Sequence, residues 1–298
     1  MSVDTFWWNT VCLLHMDGAD SGTTFTEETG INTVVVGGSA VTSTTSPKYG
    51  TASGYFPGGN SDRVRLEPDW SNDHNFAGGN LTIECWFKTD NVSRDDMTLL
   101  EKDDGAYAAG SWALRMNDAG ASTGDIAFYL RDYHATNPMM VSASSGFDDN
   151  AWHHVAVTRN EDRWKLFVDG GVQDSETFAT ALTDLMTDGA NTYIYIGNSK
   201  TASRGWTGYL DDVRITKGYP RYTVTFTPPT AALGDEADTG SRTGPAGATG
   251  PNGSNIPGED GNDGAIAVTY VPLAPAPSEY DVRDQTELRR ALETAFRQ

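Results

Sequence analysis

From its start to about residue 230 the sequence breaks into short strand-like runs divided by turn residues, and no long helical pattern interrupts them. Runs fall at Cys12 to Met16, Asn32 to Val36, Arg63 to Leu66, Leu81 to Lys88 and Thr98 to Glu101. Others fall at Trp112 to Met116, Ile126 to Arg131, His153 to Arg159, Trp164 to Val168, Tyr193 to Ile196 and Tyr209 to Thr216. Successive side chains on a strand point to opposite faces, so Leu81, Ile83, Cys85 and Phe87 share one face. Val168-Asp169-Gly170-Gly171 reads as a tight turn, because Asp and Gly tolerate the positive φ angles of a two-residue hairpin. A dozen or more short strands in about 225 residues predict an all-β sandwich of two antiparallel sheets.

The pattern stops after Leu233. Gly244, Gly247 and Gly250 open consecutive Gly-X-Y triplets, Gly253 begins an interruption, and the phase resumes at Gly258, Gly261 and Gly264. Glycine at every third position is what a triple helix demands, since only hydrogen fits at its crowded axis. A flexible glycine-rich linker is the competing reading. Eight of the 32 glycines lie between positions 240 and 264. A Pro-rich arm follows, and Leu288, Ala291, Leu292, Ala295 and Phe296 then fall on one face at helical steps. A lone four-turn helix is marginal in water, so that face needs a partner: its own copies around a threefold axis, or a docking groove. The reading divides the chain into a head over 1–233, a collagen-like stalk over 234–264, and an arm with an amphipathic helix over 265–298.

Charge narrows the function. Forty-one acidic against 21 basic residues give −20, which argues against nucleic acid, whose phosphates need neutralising, and against a basic membrane-surface protein. Residues 1–230 carry −14 of that total. The stretch from Met1 to Trp8 has neither the basic nor the apolar region of a secretory signal, and no window approaches the roughly 18 apolar residues of a membrane span. Two cysteines, Cys12 and Cys85, make no disulfide framework; both sit in strand-like runs, as buried thiols or as one bridge.

The ordered set Leu81-Thr82-Ile83-Glu84-Cys85-Trp86-Phe87, Ala151-Trp152-His153-His154-Val155-Ala156-Val157-Thr158-Arg159, Leu166-Phe167-Val168-Asp169-Gly170 and Gly208-Tyr209-Leu210-Asp211-Asp212-Val213-Arg214-Ile215 resembles the laminin-G-like, concanavalin A-type jelly-roll family over about residues 10 to 231. The closing stretch from Lys217 to Pro229 is similar to the variant found in bacterial and phage surface proteins. The resemblance implies two curved antiparallel sheets of six or seven strands each. It also implies a structural calcium joining the first and last strands, with Asp17 and Asp211 at the matching positions. Simple alternation puts Tyr209, Asp211, Val213 and Ile215 on one face, which would turn the Asp211 carboxylate inward.

Jelly rolls of this type include glycoside hydrolases, which need two carboxylates flanking the sugar. Such enzymes resemble one another in carrying Glu-x-Asp-x-x-Glu on one strand. Here the nearest approach, Glu101-Lys102-Asp103-Asp104-Gly105-Ala106, lacks the final Glu. His153 and His154 are neighbours on a strand and point apart, so they do not share a metal ion. Candidate glycan contacts are the aromatic and amide residues Trp70 to Asn75, Tyr133 to Asn137 and Trp206. The reading is a non-enzymatic virion-surface protein: a homotrimeric bacteriophage head or tail fibre, or decoration protein. It would display a lectin-like domain toward host-surface glycan and bind capsid or tail proteins through its C-terminal segment. A bacterial adhesin or carbohydrate-binding module is the alternative, and a polysaccharide hydrolase the third.

Overall fold

The computed structural model describes residues 3–68, 76, 79–91, 96–103, 111–117, 124–130, 139–178, 193–201 and 203–237. The strands are β1 (Val3–Asp4), β2 (Thr10–Leu14), β3 (Asn32–Gly37), β4 (Val41–Ser43), β5 (Ser53–Pro57), β6 (Arg63–Pro68), β7 (Leu81–Lys88) and β8 (Met97–Asp103). They continue with β9 (Trp112–Met116), β10 (Ile126–Leu130), β11 (Met139–Val141), β12 (His153–Asn160), β13 (Arg163–Val168), β14 (Gly171–Thr177), β15 (Tyr193–Ile196), β16 (Thr207–Lys217) and β17 (Glu236–Ala237). A short 3-10 turn, Trp7–Asn9, precedes β2. The chain divides into two compact units, Met1–Gly240 and Ser241–Gln298. The Gly-X-Y glycines and the apolar positions of the C-terminal helix lie outside the described residues.

Two antiparallel sheets make the head. One has seven strands in the order β11-β10-β9-β8-β15-β6-β3. The other has eight, ordered β14-β13-β12-β7-β16-β5-β4, with β2 also pairing β16. β16 is long because it receives three neighbours: β5 along its first half, β2 along its second, and β7 along most of its length. Every strand-like run of the sequence lands on a strand. β7 delivers Leu81, Ile83, Cys85 and Phe87 to the core as its alternation predicts. From the other sheet come Val64, Leu66, Leu100, Leu114, Phe128, Ile194 and Ile196. Aromatic rings join the layers: Trp164 of β13 stacks on Phe128 of β10 with centroids 5.7 Å apart. Cys12 and Cys85 are free and fully buried.

Two local devices shape what the outer faces carry. Asp169 and Gly170, at φ 49° and 75°, form the β13–β14 turn. Gly170 is also approached so closely by the Phe226 carbonyl that a Cβ there would collide with it. The second device is a bulge in β16 between Asp211 and Arg214, with Asp212 at φ 44°. The extra residue shifts the phase of the strand. Asp211 lies opposite Trp86 on the outer face, while Val213 and Ile215 face the core. The inward Asp211 expected from alternation is therefore corrected.

Residues 218–235 leave β16 and cross the outer face of the eight-stranded sheet as a closing segment. The Phe226 N–H donates to the Gly170 carbonyl at 3.0 Å, Lys165 Nζ to the Thr223 carbonyl, and the Tyr49 hydroxyl to the Pro229 carbonyl. The segment ends in β17, which pairs in parallel with β1, Val3 opposite Glu236 and Asp4 opposite Ala237.

Candidate functional site

The outer face of the seven-stranded sheet gathers aromatic and charged side chains in register. Residues directly opposite on neighbouring strands share a face. One row runs Arg65, Tyr195, Glu101, Ala113 and Tyr129, and a second places Tyr193 beside Asp103. The Arg65 guanidinium stands 4.9 Å from the Tyr193 ring centroid, Arg63 5.1 Å from Tyr195, and Arg115 5.4 Å from Tyr129. Guanidinium planes over aromatic faces fix both groups without consuming every N–H donor. Arg65 also pairs with Glu67. Arg63, Arg65, Glu67, Tyr129 and Tyr193 are partly exposed, whereas Glu101, Asp103 and Arg115 form a buried floor.

The floor is strained electrostatically. Arg115 Nη2 donates to Glu101 Oε2 at 2.8 Å, and the Lys200 N–H to Oε1 at 2.9 Å. Burial still outweighs these partners and pushes the Glu101 carboxyl above its ordinary range. Asp103 Oδ1 accepts from the Ser111 hydroxyl at 3.0 Å, and its buried Oδ2 has no hydrogen-bond partner among the described residues.

The eight-stranded sheet carries a different cluster on its outer face, under the closing segment. Glu84 of β7 and His154 of β12 are both fully buried, with Oε2 3.2 Å from Nε2. Arg214 Nε donates to Glu84 Oε1 at 2.8 Å, and the Tyr222 hydroxyl to Oε2 at 2.8 Å. Asp4 links the ends of the chain, receiving Arg221 Nη2 at 2.6 Å and Arg214 Nη1 at 3.2 Å. Burial alone would raise the Glu84 carboxyl, but Arg214, His154 and Arg221 together hold it well below the carboxylate range. Burial and Glu84 push the Tyr222 hydroxyl upward. In the sequence Arg214 and Glu84 stand only as members of their strand motifs. The partners of Arg214 and Glu84 lie 70 to 210 residues away in sequence, beyond any local pattern.

Comparison with known families decides the class. A laminin G-type family profile, described as the Concanavalin A-like lectin/glucanases superfamily, matches residues 57–219. The chain belongs to this superfamily. No curated protein matches it. Among solved structures it is similar to the binding domain of Paraclostridial Mosquitocidal Protein 1, with TM-score 0.53, 14% identity, and coverage of 77% of this chain and 51% of that one. The botulinum neurotoxin serotype G binding domain gives TM-score 0.52 and 14% identity, covering 72% and 49%. The binding domain of botulinum neurotoxin DC, solved in complex with SialylT, gives 0.51 and 13%, covering 71% and 48%. The chain spans about half the length of these structures, and at these identities the likeness shows the fold.

Within this concanavalin A-like head, the residues singled out from sequence divide as follows. Glu101 and Asp103 do come together on one outer face. Trp206 does not serve the surface: it is fully buried, edge-on to Phe87 at 5.9 Å. Trp70 to Asn75 and Tyr133 to Asn137 lie outside the described residues. His153 sits between Asp169 at 2.7 Å and Asp149 at 3.0 Å, on the opposite face from His154. Burial lowers and the two carboxylates raise the His153 pKa, and the carboxylates prevail.

Asp17 and Asp211 grip one loop, Lys48 to Ala52. Asp17 Oδ1 accepts from the Thr51 N–H, the Thr51 hydroxyl and the Ala52 N–H. Asp211 Oδ2 accepts from the Lys48 and Tyr49 N–H groups, and its Oδ1 from the Asp212 N–H. Burial, with Asp212 adding to it, pushes the Asp211 carboxyl up to about 8. Among the described residues no group of three or more His, Cys, Asp or Glu stands together as a metal cage. Both carboxylates thus accept N–H groups of this loop.

Proposed function

We propose that the chain is a non-enzymatic, lectin-like adhesion protein of a bacteriophage particle. Its jelly-roll head binds host-surface glycan through the outer face of the seven-stranded sheet. The Gly-X-Y stalk brings three copies together, and the arm and helix over 265–298 attach to capsid or tail. The observation that carries the glycan reading is the row of partly exposed Tyr193 and Tyr129 with Arg63 and Arg65, above a buried layer of Tyr195, Arg115, Glu101 and Asp103. Aromatic faces with fixed polar groups beside them are what a sugar ring requires. Membership of a lectin-containing superfamily and the SialylT complex of a structural neighbour support the same class. Triplet glycines from Gly244 to Gly264 support the trimer. Three tethered heads convert weak single-site affinity into avidity.

The test is a glycan-array and calorimetric comparison of the full chain with Tyr193→Ala and Arg65→Ala, alongside sedimentation. Binding abolished by either substitution in a folded trimer supports the reading; no glycan binding, or a monomer, overturns it. Glycan cleavage lost in Glu101→Gln would favour the hydrolase instead. A calcium bridging Asp17 and Asp211 is a separate proposal, tested by melting in calcium against chelator. A rise supports it, and no change leaves both acids to the Lys48–Ala52 loop.

A further inference from the structure

Trp8 is 85% exposed, more than any other large apolar side chain of the described residues. Val3 at 60% and Tyr219 at 37% are exposed at the same end of the head. Isolated apolar residues on a surface are ordinary, but a tryptophan held fully outward on a fixed platform is not. The platform is fixed. Phe6 stacks on Tyr219 with centroids 3.7 Å apart, and Arg221 stands 5.5 Å from the Phe6 ring. The turn carrying Trp8 is closed by the Asn9 N–H on the Phe6 carbonyl at 2.9 Å and tied to β16 through Asn9 Nδ2 on the Lys217 carbonyl at 3.0 Å. A side chain already ordered loses little further freedom when it is covered.

Charge and position point to what covers it. Residues 1–230 carry −14, so most of the head repels a second copy. The stretch Val3 to Asn9 holds a single charge, Asp4, which is buried and neutralised by Arg214 and Arg221. The same stretch lies where the chain leaves the head: β1 pairs β17, and β17 also contacts the 3-10 turn. Gly244, the first triplet glycine, follows Ala237 by seven residues. That length reaches at most about 25 Å. Heads sharing one stalk are therefore held with these ends close together, at an effective concentration in the millimolar range.

We propose that Val3, Trp8 and the Phe6–Tyr219 stack form a contact between heads of neighbouring copies of this chain, resting on the trimeric reading of the stalk. The contact sets the splay of the heads and leaves the seven-stranded face of each copy free for ligand.

The experiment uses the full chain carrying Thr5→Cys. Thr5 is exposed beside the patch, and the native cysteines Cys12 and Cys85 are fully buried, so the new thiol is the reactive one. Mild oxidation is expected to give covalent dimers at least about fivefold more readily than an exposed control, Ala151→Cys, just before β12 at the opposite end of the eight-stranded sheet. Adding Trp8→Arg should remove that advantage while sedimentation still shows a trimer. A trimer in which Thr5→Cys reacts freely with maleimide and does not cross-link overturns the head contact and leaves the stalk reading intact. A monomer overturns both. A monomer whose Thr5→Cys thiol is shielded assigns the patch to the chain's own C-terminal segment, and overturns the contact between copies.

Discussion

On the eight-stranded sheet the outward residues Glu84, His154 and Arg214 are sealed beneath the closing segment, each bonded to another group of the same chain. On the seven-stranded sheet the outward residues Arg63, Arg65, Tyr129 and Tyr193 remain partly open, above the buried Glu101, Asp103 and Arg115. Both faces are polar and both lie over the same core. They differ in whether the chain itself covers them. A face covered from within serves stability; a face left open can meet a ligand.

Removing one member of the sealed cluster should have the largest effect. Glu84→Ala removes the buried carboxylate shared by Arg214, His154 and Tyr222, a loss of about 3–5 kcal/mol. At roughly 2–4 °C per kcal/mol for a domain of this size, calorimetry should register a melting temperature lower by about 6–20 °C. A drop of only a degree or two would mean that the cluster does not hold the face closed. Gly170→Ala should come next, since it forces a Cβ against the Phe226 carbonyl at a positive φ. The expected loss is about 1–3 kcal/mol, with faster proteolysis of residues 218–233. Unchanged proteolysis would show that the segment is not anchored at this turn.

The pH dependence is smaller and has a definite sign. Asp211, raised to about 8, holds more protons folded than unfolded between about pH 4 and 8, so stability falls as pH rises across that window. Asp212 raises His15, and Asp169 with Asp149 raises His153, in each case against burial. Their contributions are full below about 6.5 and disappear as pH climbs through the folded values. All three act together, so the head should melt several degrees lower at pH 8 than at pH 5.5. Asp211→Asn should flatten that slope, and a slope of opposite sign would refute the assignment. Tyr193→Ala on the open face should change stability least, within about 0.5 kcal/mol, while glycan binding is lost. Were it to destabilise as strongly as Glu84→Ala, the contrast between the two faces would collapse.

Alternation carried by large side chains made the core strands readable, as β7 and β12 illustrate. The Asp169-Gly170 turn was readable because few residue pairs tolerate its angles. β14 escaped notice because its Val-Gln-Asp-Ser-Glu-Thr run lies at a sheet edge and is mostly exposed, so nothing imposes a period. β4 and β5 escaped because Gly54 and Ser53 pack as closely as apolar residues without looking apolar. The facing of Asp211 was misjudged because one residue at positive φ reverses every later position, and two adjacent aspartates give no local sign of which forms the bulge. The tyrosine ladder needed three distant strands to be placed side by side. No feature within Tyr193 to Ile196 announces that Arg65 and Glu101 flank it.

The two-residue pairing of β1 with β17 also decides how the head meets mechanical force. A pull on the chain beyond Ala237 against a held head loads Val3–Glu236 and Asp4–Ala237 first. Behind them stands the Asp4–Arg221 ion pair, and only then the closing segment, which would peel from its sheet bond by bond. The last restraint is β16, clamped by β7, β5 and β2. Tension is therefore resisted in stages, and the outermost stages can yield and re-form while the jelly roll stays intact.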